Sequence, residues 1–504
     1  MRFWTGYGYR YLPFADAASA DLPLSRLLRL SLFQISVGMA LVLLIGTLNR
    51  VMIVELGVPA SLVGIMISLP LLFAPFRALI GFRSDTHRCE LGWKRVPFIW
   101  KGTMVQFGGL AIMPFALLVL SGGGNASQAP VWVGWLGAGL AFLLVGAGLH
   151  TTQTIGLALA TDLAPVESQP KVVGLMYTML LFGMIGSALV FGAALADFTP
   201  FRLVRVIQGS ALATMLLNLV ALWKQEARRP ARGAAPRTDA ASFSASWARF
   251  CQGDDAVRRL LAVGLGTMAF SMEDVLLEPY GGQILHLTVG TTTKLTATLA
   301  IGGLLGFGLA SRVLSRGYDP ARMARNGALV GVPAFLLVIA AAPAASPWLF
   351  ALGTLLIGFG GGLFGHGTLT ATMNHAPESQ RGLALGAWGA VQASAAGLAV
   401  AIGGVIRDLV AAAAQSHPLV PAIGAAATGY TAVYALEVVL LAVTIVAMAR
   451  LVRPARPGLG APGGARDAGA IAAGAIAVGV MATGAIAAPG GASVAAHEDL
   501  AAHG

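Results

Sequence analysis

Two short stretches decide the fold: TDLAPVESQPK (161–171) and MNHAPESQR (373–381). Aligning Pro165 with Pro377 also brings Gly146 onto Gly358, Gly148 onto Gly360 and Asp162 onto Asn374. Each stretch follows a long apolar run, one the fourth along the chain and the other the tenth. A match of this kind six runs apart marks an internal duplication.

Apolar runs long enough to cross a bilayer, about 20 residues each, lie near 30–54, 60–82, 97–121, 131–160, 172–196, 202–223, 259–281, 292–314, 326–345, 347–373, 382–411 and 422–450. Composition agrees: 56% of the 504 residues are hydrophobic and 11% are charged. Soluble domains carry about 25% charged residues, so lipid is the solvent for most of this surface. The chain therefore divides into an interfacial cytoplasmic segment (1–29), a six-helix half (30–223), a cytoplasmic linker (224–257), a second six-helix half (258–452) and an Ala/Gly/Pro-rich tail (453–504). A parallel repeat of six-span halves resembles the major facilitator fold, whose ligand site lies near the midplane between halves. The expected class is an all-α integral membrane protein with twelve transmembrane helices in two pseudo-symmetric halves.

The net charge of +11 reflects topology. Of the 33 Lys and Arg residues, Arg50, Arg202, Arg205, Lys294 and Arg407 fall on one side, and the other 28 on the side holding both termini. By the positive-inside rule that side is the cytoplasm, and no nucleic-acid-binding face is implied. Cys89 and Cys251 both fall in cytoplasmic loops, where no disulfide is expected. Residues 1–30 lack a separate apolar core with a cleavage site, so the first span is expected to be retained. Phe243, Trp247 and Phe250 stand at helical spacing in the linker and predict a short amphipathic segment on the membrane surface. The AGAIAAGAIAVGVMATGAIAA run of the tail gives little transfer energy and is expected to be mobile, a thirteenth span being the alternative.

The loop after the second span, GFRSDTHRCELGWKR (81–95), supplies Gly81, Asp85, Gly92, Lys94 and Arg95. Major facilitators place Gly-x-x-x-Asp followed by Gly and basic residues here, forming a charge latch between helices. With Asp162 these residues form the expected latch; a generic positive-inside loop is the plainer alternative.

Ionisable groups inside spans are expensive and mark candidate sites. The seventh span reads SMEDVLLEPYGG (271–282) and holds Glu273, Asp274 and Glu278. At ~1.5 Å per residue, Glu273 lies about 21 Å from the cytoplasmic end. In the first span, LNRVMIVEL (48–56), Asn49 and Arg50 lie at a similar depth to Glu278. The expected pairing is Arg50 with Glu278 or Asp274 across the halves, unless Glu278 and Glu55 simply meet water at the helix ends. In the fourth span, GAGLHTTQT (146–154) puts His150, Gln153 and Thr154 on one face. In the tenth, His366 aligns with Thr154. Imidazole is a common metal ligand and can hold a chlorin magnesium axially; a helix-to-helix hydrogen bond is the alternative. The sequence carries no Walker loop, dinucleotide fingerprint, Cys/His metal spacing or nucleophile elbow, so the chain is read as a non-enzyme.

Longer stretches are more specific: RLLRLSLFQISVGMALVLL, GTLNRVMIVELGVPA, LPLLFAPFRALIGFRSDTH, LGWKRVPFIWKGT, GLHTTQTIGLALATDLAP and EDVLLEPYGGQIL. From about 24 to about 450 the chain resembles the PucC/LhaA family, the bacteriochlorophyll-delivery branch of the major facilitators in purple phototrophic bacteria. The match in the first spans looks closer to LhaA, which serves the core antenna, than to PucC. The resemblance implies an assembly factor that binds bacteriochlorophyll and supplies it to light-harvesting antenna polypeptides in the inner, photosynthetic membrane. It also offers the reaction-centre core complex and pigment-synthesis enzymes as partners. Magnesium would enter only as part of the pigment. Pigment-binding candidates are His150, Gln153, His366, Glu273 and Asp274. Proton-coupled transport of a small molecule, using the seventh-span acids, is the alternative function.

Overall fold

The computed structural model describes residues 22–72, 80, 84, 93–123, 128–165, 168–226, 256–375, 381–416 and 425–451. The linker aromatics, both cysteines, Gly81, Asp85 and the tail from 452 lie outside them. Twelve helical spans stand among the described residues, and no strand is among them. They are α1 (Leu24–Glu55), α2 (Ala60–Leu72), α3 (Val96–Leu120), α4 (Val131–Leu163), α5 (Gln169–Ala194) and α6 (Pro200–Leu222) in the first half. The second half holds α7 (Ala256–Gln283), α8 (Val289–Leu314), α9 (Pro320–Ala341), α10 (Pro347–His375), α11 (Arg381–Ser416) and α12 (Ala425–Leu451).

Helices are what apolar runs of this length must form in lipid, where each backbone N–H and C=O has to be satisfied within its own segment. All but α2 are long and apolar enough to cross a membrane. The described part of α2 is shorter than its apolar run because its continuation beyond Leu72 lies mostly outside the described residues. Ends are fixed locally. Asp319 accepts the backbone N–H groups of Ala321 and Arg322, with Pro320 in the first turn of α9. Large apolar side chains such as Phe115 and Trp348 stand exposed on the outside of the bundle, where lipid covers them.

The duplication read from the sequence recurs in the packing. A Cβ on Gly146 of α4 would run into Pro70 of α2, and one on Gly358 of α10 into the Leu299 carbonyl of α8. A Cβ on Gly148 would meet Gly102 and Gln106 of α3, and one on Gly360 would meet Gly327 and Gly331 of α9. Equivalent glycines thus let equivalent helices approach closely, which drives helix association in lipid where no hydrophobic force separates helix from solvent.

Two helices are irregular, and they face each other across the halves. α1 widens into π-type turns over Val42–Leu48 and Val51–Glu55. α7 breaks after Ala269, makes one tight turn at Glu273–Val275 and resumes over Leu277–Gln283. Such interruptions are tolerated at membrane depth only where protein or an internal cavity takes up the freed polar groups.

Candidate functional site

Between the halves lies a narrow cleft whose water-accessible volume is about 30 Å³. Leu41, Leu44, Ile67, Pro70 and Phe142 supply much of the apolar wall from α1, α2 and α4, and Val400 adds to it from α11. Two titratable side chains line it, His150 from α4 and Asp274 from the break in α7. Gly146 is part of the wall, and its missing side chain is what lets Pro70 close on α4. The site is an apolar slot with an imidazole from one half and a carboxyl from the other.

The remaining sequence-predicted residues are distributed differently. Gln153 is fully buried in α4 but does not line the cleft. His366 is buried in the second half, edge-on to Phe307 of α8 at 4.9 Å. His150 and His366 are therefore not brought together. Glu273 is buried in the interior of the second half, where its backbone N–H donates to Glu437 of α12 at 2.8 Å. Glu437 escaped the sequence reading.

Of the expected pairing of Arg50 with Glu278 or Asp274, an electrostatic interaction with Glu278 is present, but no direct ion pair with either acid is found among the described residues. The carboxylate that Arg50 pairs with is Glu55, five residues on in the same helix. Widened turns bring positions five apart onto one face, so the partner lies closer to hand than any acid of α7. Arg50 does reach across the halves, donating to the Leu287 carbonyl at 3.1 Å, and its guanidinium lies against Gly282. Glu278 instead accepts the hydroxyl of Thr296 from α8. Asn49 makes the other crossing: its amide donates to the carbonyls of Val275 at 3.0 Å and Asp274 at 3.4 Å. The break in α7 frees those carbonyls, and Asn49 takes them up.

On the side opposite the basic loops, a polar network joins the halves. Asp408 of α11 accepts the Ser61 N–H at the start of α2 at 2.7 Å and pairs with Arg407 at 2.7 Å. Arg407 also donates to Gln283 and lies over the Tyr430 ring. Nearby, α5 and α8 pack backbone to backbone, a Cβ on Gly192 falling 2.8 Å from the Gly290 carbonyl oxygen.

On the basic side, Arg95 pairs with Asp162 at 2.9 Å and donates to Ser84 at 2.5 Å. The described part of the latch thus joins α3 to α4. Lys94 contributes its backbone N–H: with those of Arg95 and Val96 it donates to Glu226, just beyond α6. Glu226, missed in the sequence, caps α3.

Two pseudo-symmetric six-helix halves with a cleft between them define an all-helical membrane bundle of the two-halves type. Among solved structures the fold is similar to a bacterial homolog of the human lysosomal transporter Spinster, inward-facing and unoccupied (TM-score 0.61, 15% identity, 84% of this chain and 96% of that one). It is also similar to a bacterial homologue of the iron transporter ferroportin, inward-facing (TM-score 0.60, 15% identity, 85% and 98%). At these identities the likeness is one of fold, the major facilitator fold expected above.

The profile of the PUCC protein family matches residues 47–456, and the chain belongs to that family. Protein PucC of Rhodovulum sulfidophilum is 65% identical over 406 residues, 80% of this chain and 89% of that one. Protein PucC of Cereibacter sphaeroides is 58% identical over 448 residues, 89% and 96%. A more distant relative, the bacteriochlorophyll synthase 44.5 kDa chain of Rhodobacter capsulatus, is 28% identical over 395 residues, 76% and 87%. These names lend no support to the finer likeness to LhaA.

Proposed function

We propose that this chain is a non-enzymatic assembly factor of the inner photosynthetic membrane, with both termini cytoplasmic, that holds bacteriochlorophyll and passes it to light-harvesting antenna polypeptides. The observation that carries the reading is the inter-half cleft, in which one imidazole and one carboxyl face otherwise apolar walls. Apolar walls with a few placed polar groups are the make-up of a site for a greasy ligand. The donor set fits a chlorin: His150 is the residue to hold the magnesium, and Asp274 stands opposite as a polar contact. When bound, the pigment itself supplies the light absorption. The chain's part is to keep the pigment out of water and away from other chromophores. The cleft does not enclose a macrocycle and its hydrocarbon tail whole, so the halves must part, or the tail must lie among the outer helices.

The family names support the photosynthetic context: relatives 58–65% identical are called Protein PucC, and a distant one is called a bacteriochlorophyll synthase chain. Antenna polypeptides are the proposed client, and the core complex and pigment-synthesis enzymes are further partners. The test is purification of the tagged full chain from phototrophically grown membranes. Bacteriochlorophyll absorption with co-purifying antenna polypeptides is the expected result. A colourless protein that takes up no added pigment overturns the proposal.

Proton-coupled transport is the second reading, favoured by the buried acids of α7 and α12. It requires uptake of a small molecule into vesicles that follows a pH gradient and stops when the gradient is collapsed.

A further inference from the structure

The break in α7 gathers more unpartnered buried polar atoms than anywhere else along that helix. Thr267 Oγ1, Ser271 Oγ and both carboxylate oxygens of Glu273 have no hydrogen-bond partner among the described residues. The same holds for the Tyr434 hydroxyl and Glu437 Oε2 on the facing helix α12. All five residues are at most 3% exposed. Native interiors leave few such groups unpaired, and each one asks for a water, an ion or a proton. Glu437 Oε1 is already used, accepting the Glu273 N–H at 2.8 Å. Glu437 is thereby tied to the Glu273 backbone, the two carboxyl groups are electrostatic neighbours, and the Tyr434 hydroxyl is an electrostatic neighbour of both.

Charge decides what these groups can hold. Two ionised carboxylates side by side in a lipid-embedded interior are mutually repulsive and poorly solvated. No described Lys or Arg forms an ion pair with either of them. No group of three or more His, Cys, Asp or Glu that could hold a metal ion is found among the described residues. A proton fits. A protonated carboxyl gains an O–H donor, and that donor can serve an orphaned oxygen of its neighbour or of Tyr434.

We propose that Glu273 and Glu437, with the Tyr434 hydroxyl, form an exchangeable proton site, and that its occupancy holds α12 against the broken α7 and so sets the cleft wall that carries Asp274. α7 itself adds Glu278, Tyr280 and Asp274, the last an electrostatic neighbour of both acids, and α12 adds Tyr430, which lies beside Tyr280. α9, packed on α12, carries Arg322 and Arg325 in its first turns, and α10, packed on α7, carries His366, edge-on to Phe307. α11 offers Arg407 and Asp408, engaged with Gln283, Tyr430 and Ser61. α1 offers Arg50 and Glu55, engaged with each other. The described part of α2 carries no titratable side chain, and α4 offers His150 across the cleft. Losing the proton leaves two neighbouring buried carboxylates and pushes Glu437 off the Glu273 N–H.

The test is infrared spectroscopy of the full chain in nanodiscs, with pH titration and exchange into D₂O. A protonated-carboxyl C=O band is expected at neutral pH. It shifts in D₂O, and both Glu273→Gln and Glu437→Gln diminish it. Should either variant fail to fold, Tyr434→Phe keeps the volume, and the proposal requires the band to move because the polar hydroxyl beside both carboxyl groups is gone. Amide hydrogen exchange over 266–283 must then accelerate at the pH where the band disappears, beyond the ordinary base-catalysed rise. That extra acceleration must vanish in the Glu273→Gln/Glu437→Gln double variant. Absence of the band at neutral pH in folded protein, or a band indifferent to all three substitutions, overturns the proton site. So does a band that appears only when sodium is replaced by a bulky organic cation, since a metal cation would then be the occupant. Exchange that ignores the titration overturns the link to the cleft wall. Pigment delivery is tested separately by colour, so the two readings fail independently.

Discussion

Asn49 of α1 donates its side-chain amide to the carbonyl oxygen of Val275 in the break of α7, 3.0 Å away and fully buried. This one side chain stitches the halves at the point where both helices depart from regular geometry. The carbonyls of Asp274 and Val275 lose their usual acceptor role because α7 makes a tight turn there, and lipid offers no water in exchange.

Replacing Asn49 by Ala therefore strands buried carbonyls. Leaving a buried polar group unsatisfied costs about 1–3 kcal/mol. The Asn49→Ala variant is expected to unfold at a temperature several degrees lower in a thermal scan of the purified full chain. An unchanged midpoint would show that the bond contributes nothing to the joint.

A second comparison separates two carboxylates on the basic side. Asp162 pairs with Arg95 but is 44% exposed in its side chain, and exposed ion pairs contribute about 0–1 kcal/mol. Glu226 takes three backbone N–H groups at the start of α3, which no residue within that helix can satisfy. Charge-assisted bonds of this kind are roughly twice as strong as neutral ones. Glu226→Ala should thus destabilise the protein by about 1–2 kcal/mol, and Asp162→Asn by clearly less. The reverse order in chemical or thermal unfolding would contradict the capping role.

The contrast shows what a sequence exposes and what it hides. The fold was legible because it is written in long-range regularities: twelve apolar runs, a side bias of basic residues and a repeat around Pro165 and Pro377. His150 and Asp274 were legible as polar residues in apolar surroundings, and both reach the cleft. Glu437 was legible by the same rule, as a lone acid in AVYALEVVLL, but was passed over, and its partner was hidden because the contact lies 164 residues away. Glu226 was lost among the charges of a basic linker. The Arg50 pairing went to Glu55 because π-type turns change which neighbours share a face, and α-helical counting cannot foresee them.

Glycine substitutions test the duplication directly. Gly148 and Gly360 occupy equivalent positions, and a Cβ on either would press into the backbone of α3 or α9. Gly186 and Gly308 also lie within helices, yet a Cβ there meets nothing within 4 Å. Gly148→Ala and Gly360→Ala are each expected to cost about 1–3 kcal/mol through overpacking. Gly186→Ala and Gly308→Ala should be neutral or slightly stabilising, because Ala is the better helix former. Expression level and melting temperature in detergent read the difference. Equal behaviour of all four would mean that the repeat does not govern helix packing.

The two histidines make the sharpest functional contrast. His150 lines the cleft beside apolar walls, whereas His366 is enclosed against Phe307 in the second half. If the cleft holds pigment through an imidazole, His150→Phe removes that imidazole while keeping a flat apolar side chain in place. That variant is expected to lose most of its bound bacteriochlorophyll and to slow antenna assembly in its host. His366→Phe should keep its pigment, whatever it does to stability, because its ring is not part of the cleft wall. Pigment-to-protein ratios from absorption spectra of the purified variants measure both. Full pigment in His150→Phe removes the imidazole from the site and leaves the outer, lipid-facing helices as the place to look for pigment.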